Sequence, residues 1–254
     1  MLIDEIYRFL DENYPYITAE EYDNSGYIYK SSKNEITKIL LCLDCTEDAV
    51  RKAAETGAEL IISHHPLYIA GLPKSLNSDK DKTMVSLIKN DISAISLHTN
   101  FDAAKDGLNE TLAETIGLEI IGKFSENHAG VCSGIIGKMN PKTVKEIAKH
   151  LKKVLGCNTV NYFESGKNPE KIALVCGAGF SFFEEAVKNG ADLFITGECK
   201  YYHFNRAKEL GVSLIDAGHF YTEKIFAKAL MKKLSFIDNV KIEEFEDFLN
   251  YKQI

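Results

Sequence analysis

Two stretches of the chain carry one pattern of apolar and polar positions. Residues 38–65 open on an apolar run, Ile39 to Leu43. An amphipathic segment follows, Glu47 to Thr56, and then a second apolar run, Leu60 to Ile62. Residues 171–198 repeat the pattern with Ile172 to Cys176, Ser181 to Asn189 and Leu193 to Thr196. The two align without a gap. Lys38/Lys171, Ile39/Ile172, Leu41/Leu174, Ala53/Ala186, Gly57/Gly190, Ala58/Ala191, Leu60/Leu193 and Ile62/Ile195 coincide. Short continuous apolar runs read as buried parallel strands, and the segment between them as a helix that ends on a glycine. Each stretch is therefore a strand–helix–strand unit. A further helix and strand follow, reaching Ile92–Leu97 in the first copy and Val212–Ile215 in the second. Such units build parallel sheets with right-handed crossovers.

The pattern thus predicts an α/β protein with an internal duplication, its halves spanning 1–125 and 126–254. Outside the repeat, residues 2–12, 143–155, 222–234 and 241–251 read as helices. Residues 21–30 read as a turn followed by a strand, and 128–140 as a strand.

Composition narrows the class. The 254 residues are 45% hydrophobic and 26% charged, which excludes a mainly disordered chain. No apolar run is long enough to span a membrane, and the N-terminus lacks a secretory pattern. A net charge of −7 gives no overall attraction to nucleic acid. Six scattered cysteines read as free thiols in a reducing cytoplasm, so a cytoplasmic location is expected.

The candidate chemistry sits where the predicted strands end, the edge at which α/β sheets place ligands. Ser63-His64-His65-Pro66-Leu67 follows one strand. His98 and Asp102 follow another, and His219 and Glu223 a third, each pair at spacing i, i+4. On a helix that spacing puts both groups on one face. Two halves facing each other would gather His64, His65, Asp102, His219 and Glu223 around one cleft. Three imidazoles and two carboxylates exceed the ligands of one structural zinc and suit two divalent ions. Zinc, iron, manganese, cobalt and nickel all accept such donors. A divalent pair favours hydrolysis, because it activates water and stabilises developing negative charge. His98 is a proton carrier or a ligand. Glu198, which stands where the first copy has His65, orients a ligand or acts as a general base.

Other features read as structure first. Cys42 and Cys45 have metal spacing without a second pair, and fit core packing. Gly177-Ala178-Gly179 is a tight turn or an anion cradle. Asp23-Asn24-Ser25-Gly26 is a turn. Lys142, Lys145, Lys149, Lys152 and Lys153, and likewise Lys224, Lys228, Lys232 and Lys233, make basic helix faces that are solvated or meet phosphate.

Taken together, several motifs resemble the Nif-three-like family, whose members are called GTP cyclohydrolase type 2 homologues. They are Tyr22-Asp23-Asn24-Ser25-Gly26, Ser63-His64-His65-Pro66-Leu67, His98-Thr99-Asn100-Phe101-Asp102, Gly177-Ala178-Gly179, Thr196-Gly197-Glu198 and Gly218-His219-Phe220-Tyr221-Thr222-Glu223. The resemblance runs from about residue 3 to residue 233. Tyr22 stands where the family usually has tryptophan. Some members carry a domain inserted between the halves, and this chain resembles the compact form. The resemblance implies two similar three-layer α/β/α halves and a dinuclear metal site in the cleft between them. Its ligands would be His64, His65, Asp102, His219 and Glu223. It also implies a ring-shaped homohexamer. The reading that follows is a metal-dependent hydrolase for a nucleotide-like or phosphorylated small molecule. The alternatives are a DNA-binding ring with structural metals and a metal-handling protein for metallocofactors.

Overall fold

A computed structural model describes residues 1–69, 71, 79–140, 143–235, 237 and 239–246. In chain order the elements begin with α1 (Ile3–Asn13), β1 (Gly26–Tyr29), β2 (Lys38–Asp44), α2 (Glu47–Thr56), β3 (Leu60–His65), α3 (Asp79–Asn90), β4 (Ser93–Ser96) and α4 (Thr99–Ala103). Next come α5 (Leu108–Ile116), β5 (Glu119–Glu126), β6 (Cys132–Lys138), α6 (Val144–Leu155), β7 (Asn161–Phe163), β8 (Ile172–Leu174) and α7 (Phe183–Lys188). The last are β9 (Leu193–Thr196), α8 (Tyr201–Leu210), β10 (Ser213–Asp216), α9 (His219–Glu223), α10 (Phe226–Leu234) and β11 (Lys241–Glu244).

These elements form two units. The first is Met1–Phe101 joined by the stretch that begins at Phe226. Its sheet has the order β1-β4-β3-β2-β11. β2, β3, β4 and β11 run parallel, and β1 pairs antiparallel with β4. Leu40, Cys42, Ile61 and Ala94 pack with Ala49, Val50 and Ala53 of α2 and Leu87 of α3. The alternate positions Ile39, Leu41, Leu60, Ile62 and Ile95 are equally buried. Both faces of the central strands are therefore covered, which is why these strands read as unbroken apolar runs. Thr46 caps α2 by accepting from Ala49 N (3.2 Å), and Gly57 ends it in the left-handed conformation, φ +73°.

The second unit spans Asp102–Ile225, with sheet order β5-β6-β8-β9-β10-β7. β8, β9 and β10 run parallel, and the outer strands pair antiparallel. Here Ala173, Phe183, Ala186, Phe194, Ala207 and Leu214 form the core beneath α7 and α8. The strand–helix alternation from β2 to α4 recurs from β8 to α9, as the repeat predicts.

Three expectations change. The two units do not coincide with 1–125 and 126–254, because the chain returns to the first sheet after Ile225. The helix expected at 241–251 is instead strand β11, Lys241–Glu244, which adds to β2 with Ile242 opposite Ile39. The rest of that segment, from 247 on, lies outside the described residues. The strand expected at 128–140 is the shorter β6, and it pairs with β5, which the pattern did not announce. Cys42 and Cys45 lie in one apolar cluster, as core packing predicts. Among the described residues, no helix is long and apolar enough to cross a membrane.

Candidate metal centre

In the first unit the site grows from the ends of neighbouring strands. His64 and His65 are the last residues of β3. Asp44, the last residue of β2, is the register partner of His65. Side chains directly opposite on adjacent strands lie within reach of each other, and Asp44 Oδ1 takes His65 Nδ1 at 2.8 Å. His64 is fully buried, and its Nδ1 lies 2.8 Å from the Leu97 carbonyl, one strand over. His98 follows β4, with Nδ1 2.8 Å from Asp23 Oδ1. A carbonyl and a carboxylate only accept, so each of these rings donates through Nδ1 and offers Nε2 elsewhere. The three rings stand together, and one ligand nitrogen from each lies within 4.8 Å of the others.

Asp23, which the sequence places in a turn and gives no chemical role, supports His98. Its turn wraps the carboxylate in donors: Asn24 N (2.7 Å), Ser25 Oγ (2.8 Å), Thr99 N (3.1 Å) and Thr99 Oγ1 (2.6 Å). Burial alone would raise its pKa. The hydrogen bond and charge of His98, with the hydroxyls of Thr99 and Ser25, outweigh burial and hold the group well below the usual carboxylate range. No local signal separates this aspartate from any other turn residue. Its role depends on a contact across 75 residues of chain.

The second unit builds its part around α9. His219 and Glu223 face each other one turn apart, Nε2 to Oε2 at 2.9 Å. On the other side His219 Nδ1 meets Glu198 Oε2 at 3.0 Å, just past the end of β9. Glu223 is only 3% exposed. Asp102, on α4, and Glu223 both bear on Cys176. Burial pushes the Cys176 thiol well up, and the charges of Asp102 and Glu223 and a hydrogen bond to Asp102 push it further. The sequence set thus falls into two groups. His64, His65 and His98 belong to the first unit, and Asp102, Glu198, His219 and Glu223 to the second.

The glycines of the second unit serve packing and not an anion. Gly177 N donates to Thr222 Oγ1 and Gly179 N to Thr196 Oγ1, both at 3.1 Å. Those N–H groups are spent on the protein, which favours the tight-turn reading of Gly177–Gly179 over the anion cradle. Gly177, with φ +56°, occupies the place that Asp44 holds in the first copy. A Cβ there would collide with Glu223 Oε1 and come within 3.1 Å of His219 Nε2. A Cβ on Gly197 would lie 2.5 Å from Thr222 Oγ1 and 2.9 Å from His219 Cα. These absent side chains let α9 press its imidazole and carboxylate against the strand ends. The donor types fit a divalent cation: imidazoles set by oxygen acceptors on Nδ1, and carboxylates.

The lysines of α6, Lys145, Lys149, Lys152 and Lys153, are exposed opposite a buried stripe of Val144, Ile147, Ala148, Leu151 and Leu155. Lys142 lies outside the described residues. Lys224 sits over the Tyr221 ring at 5.2 Å.

Comparison with known proteins gives the lineage. The family model for Duf34/NIF3 (NGG1p interacting factor 3) matches residues 1–247. The chain belongs to the Duf34/NIF3 family. A Clostridium perfringens member named GTP cyclohydrolase 1 type 2 homolog is 38% identical over 229 residues, covering 88% of this chain and 87% of the relative. A Helicobacter pylori member named GTP cyclohydrolase 1 type 2 is 33% identical over 250 residues, covering 97% of each. Among solved structures, a hypothetical protein of Staphylococcus aureus superposes with TM-score 0.88 at 27% identity, covering 100% of this chain and 99% of that one. Reduced HcgD from Methanocaldococcus jannaschii gives TM-score 0.82 at 28% identity, covering 98% of each chain. The Duf34/NIF3 relationship agrees with the motif resemblance and with the two mixed sheets.

Proposed function

We propose that this protein is a metal-dependent hydrolase for a nucleotide-like or phosphorylated small molecule. In this reading His64, His65, Asp102, His219 and Glu223 together hold two divalent cations. The observation that carries it is the anchoring of the imidazoles. His64, His65 and His219 each have Nδ1 set against a protein oxygen, the anchoring that commonly orients a metal-bound imidazole. A buried Glu223 carboxylate beside His219 adds the negative charge that a cation neutralises. When bound, a divalent pair supplies Lewis acidity and activates water near neutral pH.

The chain's own groups do the remaining work. Asp44 and the Leu97 carbonyl fix the tautomers of His65 and His64. Glu198 orients His219 through Oε2 and takes up a proton on Oε1, and His98 carries protons on the side of the first unit. The names of the Clostridium perfringens and Helicobacter pylori relatives support a nucleotide-like substrate. A homohexamer and a cytoplasmic location belong to the same proposal.

The test is turnover on a panel of nucleotides and phosphorylated compounds, before and after chelation. Activity should vanish on chelation, return with added divalent ion, and be lost in His65→Ala. Turnover that survives complete removal of metal would sink the reading.

A further inference from the structure

An aromatic patch adjoins the part of the centre that the second unit builds. Glu198, whose Oε2 meets His219, is followed by Cys199, Lys200 and then α8, which opens on Tyr201, Tyr202 and His203. Both tyrosines face solvent, Tyr201 81% exposed and Tyr202 58%. Single apolar residues scattered over a surface are ordinary. These two rings are adjacent, and one of them is held in place.

The Tyr202 and His203 rings stand nearly perpendicular, with planes at 82° and centroids 4.4 Å apart. His203 is itself fixed twice. Its ring stacks on Phe180 at 3.6 Å, the two planes 4° apart. Lys200 N donates to its Nδ1 at 3.1 Å. A backbone N–H only donates, so the imidazole is neutral, with its proton on Nε2. Burial and the Lys200 charge hold its pKa below the usual histidine range, against the opposing pull of Glu198. A neutral ring clamped on one side and bonded on the other gives Tyr202 a firm neighbour.

The patch is continuous with the candidate centre. Phe180 follows Gly179 directly, and Gly177 of the same loop packs against Glu223 and His219. One short segment therefore carries the base of the aromatic stack and shapes the imidazole–carboxylate pair of α9. An exposed phenol ring held by such packing offers a π surface to a flat ligand at little entropic cost. Every nucleobase has a π face, and a sugar phosphate has none.

We infer that Tyr202 is the base-stacking residue of the substrate site, so that the substrate is a nucleotide and not a plain sugar phosphate. The inference rests on the hydrolase reading above and narrows its substrate class.

The experiment is isothermal titration of the full chain with GMP, AMP and ribose 5-phosphate, for wild type, Tyr202→Phe and Tyr202→Leu, with thermal melts alongside. Both nucleotides should bind wild type at least tenfold tighter than ribose 5-phosphate. Tyr202→Leu should weaken them by about 5- to 150-fold, the worth of one base–aromatic stack, and leave ribose 5-phosphate unchanged. Tyr202→Phe keeps the ring and should keep the affinity. Nucleotides bound no tighter than ribose 5-phosphate, or bound equally well by Tyr202→Leu, would overturn the inference. So would a leucine variant that alters the sedimentation of the chain but not its nucleotide affinity, which would mark the patch as an interface between chains. If the leucine variant fails to fold, the proton spectrum of GMP with wild type decides. Stacking on a ring moves the guanine H8 resonance upfield, and an unmoved resonance would overturn the inference. Metal content measured on the same samples separates the two claims. A chain that holds metal but shows no preference for a base overturns this inference alone. Base-dependent binding by a chain that holds no metal supports it and overturns the hydrolase reading.

Discussion

Gly177→Ala should weaken metal binding by at least tenfold while leaving the first unit folded. The added methyl meets Glu223 Oε1 directly, with the Glu223 carboxyl carbon at 3.0 Å and His219 Nε2 at 3.1 Å. Glu223 cannot swing aside cheaply. It is buried, and α9 is tied to this loop by the Gly177–Thr222 hydrogen bond. The left-handed backbone adds about 1–2 kcal/mol of strain for any residue with a Cβ. Gly211→Ala supplies the control. It has a similar φ, +64°, with nothing within 4 Å of the added atom. It should carry the backbone strain alone and bind metal as wild type does. Isothermal titration with Zn(II) compares the two. Equal affinity in Gly177→Ala and Gly211→Ala would show that the glycine does not shape the site.

Phe226→Ala should destabilise the first unit by about 3–5 kcal/mol, the usual loss for a large buried aromatic. Phe226 opens α10 and is fully buried. Its ring packs against Phe101 at 5.2 Å and against the His64 imidazole at 5.1 Å, and Phe101 in turn meets Tyr14 at 4.7 Å. The substitution therefore opens a cavity beside a proposed ligand as well as in the core. Phe226→Leu should lose less than half as much. Urea denaturation followed on the first unit's transition measures both, and a loss below about 1 kcal/mol for the alanine variant would contradict the packing described.

How far the sequence announced this arrangement depends on the element. β2, α2 and β3 were legible because both faces of the strands are buried and α2 keeps one apolar face. β5 was not. It lies at the sheet edge with Ile120 and Ile121 both exposed, and an irregularity between Ile120 and Gly122 breaks the period of two. β11 was misread as helix because its acidic, aromatic surroundings have helical spacing. Its pairing with β2 is a tertiary fact that no local window contains. The site divides the same way. His64, His65, His219 and Glu223 could be found because they sit at strand ends or one helical turn apart. Asp44 and Asp23 could not. The first acts through strand register with His65, and the second through a turn brought to His98 from far along the chain. The glycine loop was ambiguous for a physical reason. Only the structure shows its N–H groups given to Thr222 and Thr196.

The central claim is that the histidines and carboxylates at these strand ends bind metal. The direct measurement is metal content per chain by elemental analysis, on protein purified without chelator, for wild type and His65→Ala. The account predicts about two divalent ions per wild-type chain, the stoichiometry of a two-metal site, and a clear fall in the variant. Wild-type protein without bound metal, even after divalent ions are added back, would contradict it.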